Sequence, residues 1–480
     1  MPNWNHLPEE LRLQVLETLA QDPYSGSRRA SLTNYALVCK SWQRIFEKIN
    51  FQRLVLHQDD LDGVARLPKR CRPYVAHVCL RIELSEYVPW AGDRLATIRP
   101  AIVRPERMED IATNSEIIEL AIGKLFDGLK SWEKWAKPDH RITLEISFHS
   151  PSDSRYIARG IHAKELDRGL PSTDGRSRDG AADRIFGGYV HIQFHQQLPV
   201  LNMVERFIMQ RHTRRQPTSF TMHQLLSRFP DLKDLVFEPW QQFLDTSQDR
   251  VDAGYVRFVK GSLPKGLRHF TFFEDHDEER TKSSLAQGVP ARAPNPNVSA
   301  ALARRSLGLE SLSASFLVDA RDFFRLSKRE WTWPNLQSLT LTSRYLESTR
   351  GSYEINDMLN AAAEAALAMP MLETLEIWNG GPGHAAVFRY SAKKGGATLA
   401  WIGTWDLFID SGVVDAWRTV ALKSHGRQMR GLEKRFIESP HEIRGHGDAI
   451  QLLETKERVI SPQSLEELQF EAKDGCMCFP

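Results

Sequence analysis

Apolar positions near the start of the chain fall into helical periods. Leu7, Leu11, Val15, Leu16 and Leu19 recur at i, i+4, i+8, i+9 and i+12, one stripe of an amphipathic helix. Pro8 suits the first turn, where its missing N–H would have no partner. Asp22 to Ser27, with Pro23 and Gly26, breaks the pattern. A second helix is predicted from an N-cap at Ser31 to about Asn50. Leu32, Ala36, Cys39, Phe46 and Ile49 line one of its faces, and Leu37, Val38, Trp42 and Ile45 the neighbouring one. So short a pair cannot bury two apolar faces within itself. The surplus must pack on the rest of the chain or on a partner.

Downstream the period switches between two and 3.6. Arg53 to Leu56, Val75 to Leu84 and Arg141 to Phe148 alternate as strands. Glu116 to Trp135 is spaced as a helix, as are Asn202 to Arg211 and Met222 to Phe229. Pro151 to Gly188, rich in Gly, Ser, Asp and Arg, is predicted as a long surface loop. One six-residue pattern with apolar positions 1, 4 and 6 then recurs, starting at Leu232, Leu267, Leu309, Leu336 and Leu372. It resembles the strand signature of a leucine-rich repeat, at intervals longer and less regular than the roughly 20–29 residues usual for that class. Buried strands of an ordinary mixed α/β domain are the alternative. Between the apolar positions, Gln337, Ser338, Thr340, Glu373, Thr374 and Glu376 are candidates for exposure. Thr340 and Glu376 each sit between two core positions. They are predicted to face the open side of the sheet and to contact a bound target.

Beyond Ile377, Trp378 to Gly383 is predicted as a turn, and two apolar runs flank Lys393-Lys394-Gly395-Gly396 as an antiparallel hairpin. Val414 to Leu422 is predicted helical, and His446 to Leu453 leads into another helix. Leu465, Leu468 and Phe470 repeat the six-residue pattern or continue as helix. This region either caps the array or forms a separate module; the short Gly-rich connection favours the cap.

Composition narrows the picture. Lys plus Arg is 63 against 61 Asp plus Glu, so bulk charge draws the chain toward neither nucleic acid nor an acidic membrane. The five scattered cysteines form no disulfide framework and fit a reducing compartment. No apolar run approaches the roughly 18 residues of a spanning helix. His191 and His195 alternate with apolar residues, and no third metal ligand is marked beside them. His441-Glu442 to His446 departs from the zincin spacing by one residue. Arg211, Arg214 and Arg215 are predicted to lie in a solvated loop. No nucleophile elbow or phosphate loop is present, so neither catalytic residue, nor metal ligand, nor cofactor is expected.

The N-terminal stretch resembles the F-box. The matching residues are Leu7, Pro8, Glu10, Leu11, Val15, Leu16, Leu37, Val38, Cys39, Lys40 and Trp42, with a longer insert from Gln21 to Ala30. Residues 370–472 resemble the C-terminal region of a group of fungal F-box proteins, on Glu376 to Gly381, Phe388-Arg389-Tyr390, Thr404-Trp405, His446 to Ile450 and Val459 to Leu465. The resemblance implies an α/β chain with an F-box at 1–52, an irregular leucine-rich-repeat-like solenoid at 53–378 and an α+β cap at 379–480. It implies docking of a Skp-type adaptor, and through it a cullin, by Leu7, Pro8, Leu11, Val15, Leu16, Leu37, Val38, Cys39 and Trp42. The expected role is a non-catalytic substrate receptor of a ubiquitin ligase in the cytoplasm or nucleus. The runner-up is a scaffold that binds the adaptor without ubiquitylation.

Overall fold

The computed structural model describes residues 7–21, 34–87, 107–134, 139–153, 189–241, 245–276, 278, 292–393 and 395–474. Ser31, most of the loop expected at 151–188 and the last two cysteines lie outside the described residues.

The architecture is mixed α/β. Its strands are β1 (Arg53–His57), β2 (His77–Glu83), β3 (Ile142–His149), β4 (Tyr189–Val190), β5 (Val204–Met209), β6 (Gln216–Pro217) and β7 (Asp234–Phe237). They continue with β8 (His269–Phe273), β9 (Ser311–Ser315), β10 (Ser338–Thr342), β11 (Thr374–Gly381), β12 (His384–Lys393), β13 (Gly396–Gly403) and β14 (Met429–Phe436). Twelve of them form one sheet in the order β1-β2-β3-β5-β7-β8-β9-β10-β11-β12-β13-β14, and β4 pairs with β6 alone. The strands are parallel except that β12 runs antiparallel to both its neighbours. The sheet continues without interruption through the boundary expected at residue 378.

Register explains why the strands hold together. Leu54, Val78, Leu144, Phe207, Leu235, Phe270, Leu312, Leu339, Leu375, Tyr390, Leu399 and Leu432 are successive cross-strand partners. This ladder crosses all twelve strands on one face. A one-residue slip anywhere would turn a strand's apolar set outward. The helices Met108–Glu133, Ser219–Leu226, Asp245–Gly261, Pro296–Arg305, Ser352–Ala366 and Ser411–His425 belong to the layer that contributes to this core. In Ser352–Ala366 the buried Ile355, Met358, Leu359, Ala362, Ala363 and Ala366 make one stripe. Trp417 packs 4.8 Å from Tyr390 and donates its indole N–H to the Leu359 carbonyl at 3.2 Å.

Three expectations are corrected. Asn202 to Arg211 contains the strand β5, not a helix. Phe207 and Ile208 are both buried, one on each face, and a strand covered on both sides loses its alternation. The second N-terminal helix is Lys40–Gln52; Cys39, extended at φ −163° and ψ 169°, separates it from a helical turn at Asn34 and Tyr35. Trp378 to Gly381 is strand, and the turn is confined to Pro382 and Gly383, where Gly383 takes φ +74°. The predicted hairpin forms as β12 and β13, and Leu465 to Phe470 lies in the helix Pro462–Asp474. Among the described residues no helix is long and apolar enough to cross a membrane.

The second face of the sheet is also covered. Phe273, Trp378, Val387 and Ile402 project from it and pack with Ile443, Ala449, Ile450, Leu453, Val459, Ile460, Leu465 and Leu468. The approach is closest at Gly380, where a Cβ would fall 2.2 Å from the Ala449 Cβ. Gly380→Ala should therefore displace the helix His446–Ile450 from β11. Overpacking of this kind costs about 1–3 kcal/mol. Urea unfolding should show that loss, and limited proteolysis should cut first within 443–474.

Candidate functional site

The residues matching the F-box lie on the helices Glu9–Gln21 and Lys40–Gln52 and on the segments just before each, Leu7-Pro8 and Leu37 to Cys39. Leu16 and Phe46 form a small core of their own, with Leu19, Tyr35, Ala36, Trp42, Ile45 and Ile49 packed around it. Tyr35 stacks edge-on to Trp42 at 6.0 Å and lies 5.1 Å from Phe46. Leu16 is thus committed inward and does not belong to the exposed docking set expected of it. The others face out to different degrees. Leu37 is 80% exposed, Val38 60%, Leu11 47% and Val15 43%. Pro8 and Cys39 are exposed, and Leu7 and Trp42 half-buried. The pair is tethered to the body by Arg70, which meets Glu47 at 2.9 Å. The surplus apolar face does not fold back onto the sheet.

Thr340 and Glu376 lie on the second face of the sheet, as their register requires, but neither is exposed. The C-terminal segment 443–474 covers them. It crosses the strands in reverse of their chain order. Arg389 on β12 donates to the Leu452 carbonyl. Glu376 on β11 accepts the backbone N–H groups of Glu454 and Thr455, both at 3.0 Å, and the Thr455 hydroxyl. It also accepts Arg389 Nε at 2.6 Å. Thr340 on β10 shares a hydroxyl contact of 2.8 Å with Thr455. Thr271 on β8 donates to the Arg458 carbonyl at 2.8 Å. Glu238, just beyond β7, accepts the Ser461 N–H and hydroxyl at 2.6 Å and the Ser464 hydroxyl at 2.5 Å. Two side chains that looked suited to water are instead acceptors and donors for a strap.

The strap ends over a knot of buried charge. Arg211, Arg214 and Arg215 are buried, not solvated. Arg211 pairs with Asp275 through Nε and with Glu471 at 2.6 Å, and its guanidinium lies 4.9 Å from the Trp240 ring centroid. Arg215 reaches Asp153 at 3.4 Å. Asp275 also faces His446, whose other ring nitrogen lies 2.5 Å from Glu278. Burial opposes the charge on His446, but Glu278 and Asp275 raise its pKa to about 9. Burial would raise Asp275, but Arg211 and then His446 hold it well below the usual carboxylate range. Burial and then the charge on His446 push His276 down to about 4. Burial lifts Glu238 above the ordinary range despite its serine donors. Phe316, the one non-glycine residue with positive φ (68°) among the described residues, sets its ring edge-on to His276 at 4.7 Å and to His446 at 5.4 Å.

His441 falls in a separate short turn from His446, so the zincin-like spacing does not assemble. His191 and His195 are exposed beyond the end of β4; His191 stacks on Phe220 and His195 meets Glu119 at 2.9 Å. The knot went unrecognised in the sequence because its members are far apart along the chain. The one local signal was the arginine run at 211, 214 and 215.

Residues 262–461 match the sequence model of a family of unknown function (DUF6546). The match covers under half of the chain, from the approach to β8 to the middle of the strap. No curated protein matches the chain.

Glu376 is the acceptor on which the strap's crossing of β11 rests. Glu376→Ala would leave Arg389 and three donors of the strap facing a methyl group. Removing one partner of a buried pair costs about 3–5 kcal/mol. Thr340→Val, which removes one hydroxyl and keeps the shape, should cost about 1 kcal/mol. Urea denaturation of both variants checks the ranking.

Proposed function

We propose that this chain is a substrate-receptor subunit of a Skp–cullin–F-box ubiquitin ligase. The observation that carries the reading is the unspent apolar surface of the N-terminal helix pair. Leu11, Val15, Leu37 and Val38 stand in water while Leu16 and Phe46 already form the pair's own core. Exposed side chains of this size, grouped on one small element, suit a protein partner. They coincide with positions that match the F-box pattern, so the partner is a Skp-type adaptor. The adaptor would join the chain to a cullin.

In this reading the sheet is an irregular leucine-rich-repeat-like solenoid. β1 to β11 follow one another in the main sheet in chain order, apart from the separate β4–β6 pair, and each of the five recurring patterns supplies one strand. Residues 379–480 extend and cap it. The target is held by surfaces the strap leaves open, not by Thr340 or Glu376. No bond chemistry is asked of the chain itself. It raises the effective concentration of target lysines near the ubiquitin-charged enzyme.

Leu37→Ala with Val38→Ala should abolish capture of a purified Skp-type adaptor while leaving the melting curve unchanged, because both side chains are exposed. An interface anchor is worth about 2 kcal/mol or more, roughly thirty-fold in affinity. Leu16→Ala should do the reverse and loosen the helix pair itself. Full adaptor binding by the folded double variant would remove the reading.

A further inference from the structure

We propose that Asp275, His276 and His446 form a binding site for one transition-metal dication of the zinc class, clasping the C-terminal strap to the end of β8. The donor atoms of the three residues lie within 4.8 Å of one another. His446 Nε2 is buried and 3.2 Å from Asp275 Oδ1, an ion-pair distance without the geometry of a well-directed hydrogen bond. The spacing that serves this ion pair is also that of neighbouring ligands in a coordination shell. Ligands about 2.0–2.1 Å from a tetrahedral zinc ion sit about 3.3–3.4 Å apart.

The atoms behind these three are arranged as a metal would require. His446 Nδ1 lies 2.5 Å from Glu278 Oε1, and the same oxygen accepts the His446 backbone N–H at 2.6 Å. Metal binding would displace the proton from Nε2, while the Glu278 carboxylate keeps the other on Nδ1 and fixes the ring's orientation. Asp275 Oδ2 accepts Arg211 Nε, and Oδ1 accepts the His276 backbone N–H at 2.8 Å, which fixes the carboxylate's orientation. The His276 and His446 rings have centroids 4.8 Å apart and planes 23° apart. Arg211 is the nearby cation, and it is already engaged by Glu467 and Glu471.

The donor set selects the metal. Two imidazoles and one carboxylate suit zinc or a similar borderline ion, whereas magnesium and calcium prefer oxygen throughout. Three protein ligands leave a fourth position for water. Phe273, Phe316 and Trp378 wall the cluster on one side, and the half-buried His276 marks the way in.

The test uses the full chain purified without a histidine tag, stripped with a chelator and dialysed against Zn²⁺ with Mg²⁺ in excess. One zinc per chain should be retained, and Co²⁺ in its place should give the visible absorption of a tetrahedral site. His276→Ala and His446→Gln should each weaken retention about a hundred-fold or more, and Glu278→Gln about ten- to a hundred-fold. If the folded wild type retains neither Zn²⁺ nor Co²⁺, His446 is an imidazolium held between two carboxylates and the proposal fails. It fails equally if His276→Ala binds zinc as tightly as the wild type. That variant alters a half-buried side chain, so the question stays answerable even if His446→Gln does not fold.

Discussion

Everything in this molecule hangs on the apolar ladder that runs from Leu54 to Leu432 through twelve strands. Each rung fixes the register of the next strand, and each register decides which side chains reach the second face. Thr271, Ser313, Thr340, Glu376 and Arg389 form the row directly between two apolar rows. The first face therefore dictates the chemistry of the second. Polar groups placed in a row this way must meet either water or matching groups.

The strap supplies the matching groups. Its backbone amides, the Thr455 hydroxyl and two carbonyls answer Thr271, Thr340, Glu376 and Arg389 in the row, and its serines answer Glu238 beyond it. Apolar contacts to Trp378 and Val387 supply attraction without direction. The hydrogen bonds supply direction, because a buried carboxylate such as Glu376 or Glu238 tolerates only a segment that presents donors at the right places. Coverage of this face is thus specific, while the apolar N-terminal surface stays bare. A chain that straps the middle of one large face and leaves a small apolar one open separates what holds it together from what it offers to others.

Much of the sheet was legible in the sequence, for a physical reason. Leu339, Leu341, Leu375 and Ile377 sit in strands whose alternation survives, so period two shows. β5 was misread because Phe207 and Ile208 are buried on opposite faces and mimic helical spacing. Leu16 was misread because the stripe that holds it serves two masters, its neighbour helix and the solvent side. The strap could not be read at all from local pattern. Ser461 and Glu238 are 223 residues apart, and Glu376 and Thr455 are 79 apart. Arg211, placed in a solvated loop because no nucleic-acid signature accompanied the basic cluster, found its partners 64 and 260 residues away.

The reversed path of the strap has a consequence for how the molecule is made. On a ribosome, residues 443–474 emerge after every strand they cover. Until then Phe273, Trp378 and the buried acids of the second face have no cover, and a parallel sheet of non-local pairings is already slow to form. At about 5–20 residues per second, the interval between synthesis of β5 and of the strap's last helix is tens of seconds or less. The nascent chain must pass that interval with an incomplete layer. The strap is then the closing move of folding, and the native state is locked from the C-terminal side.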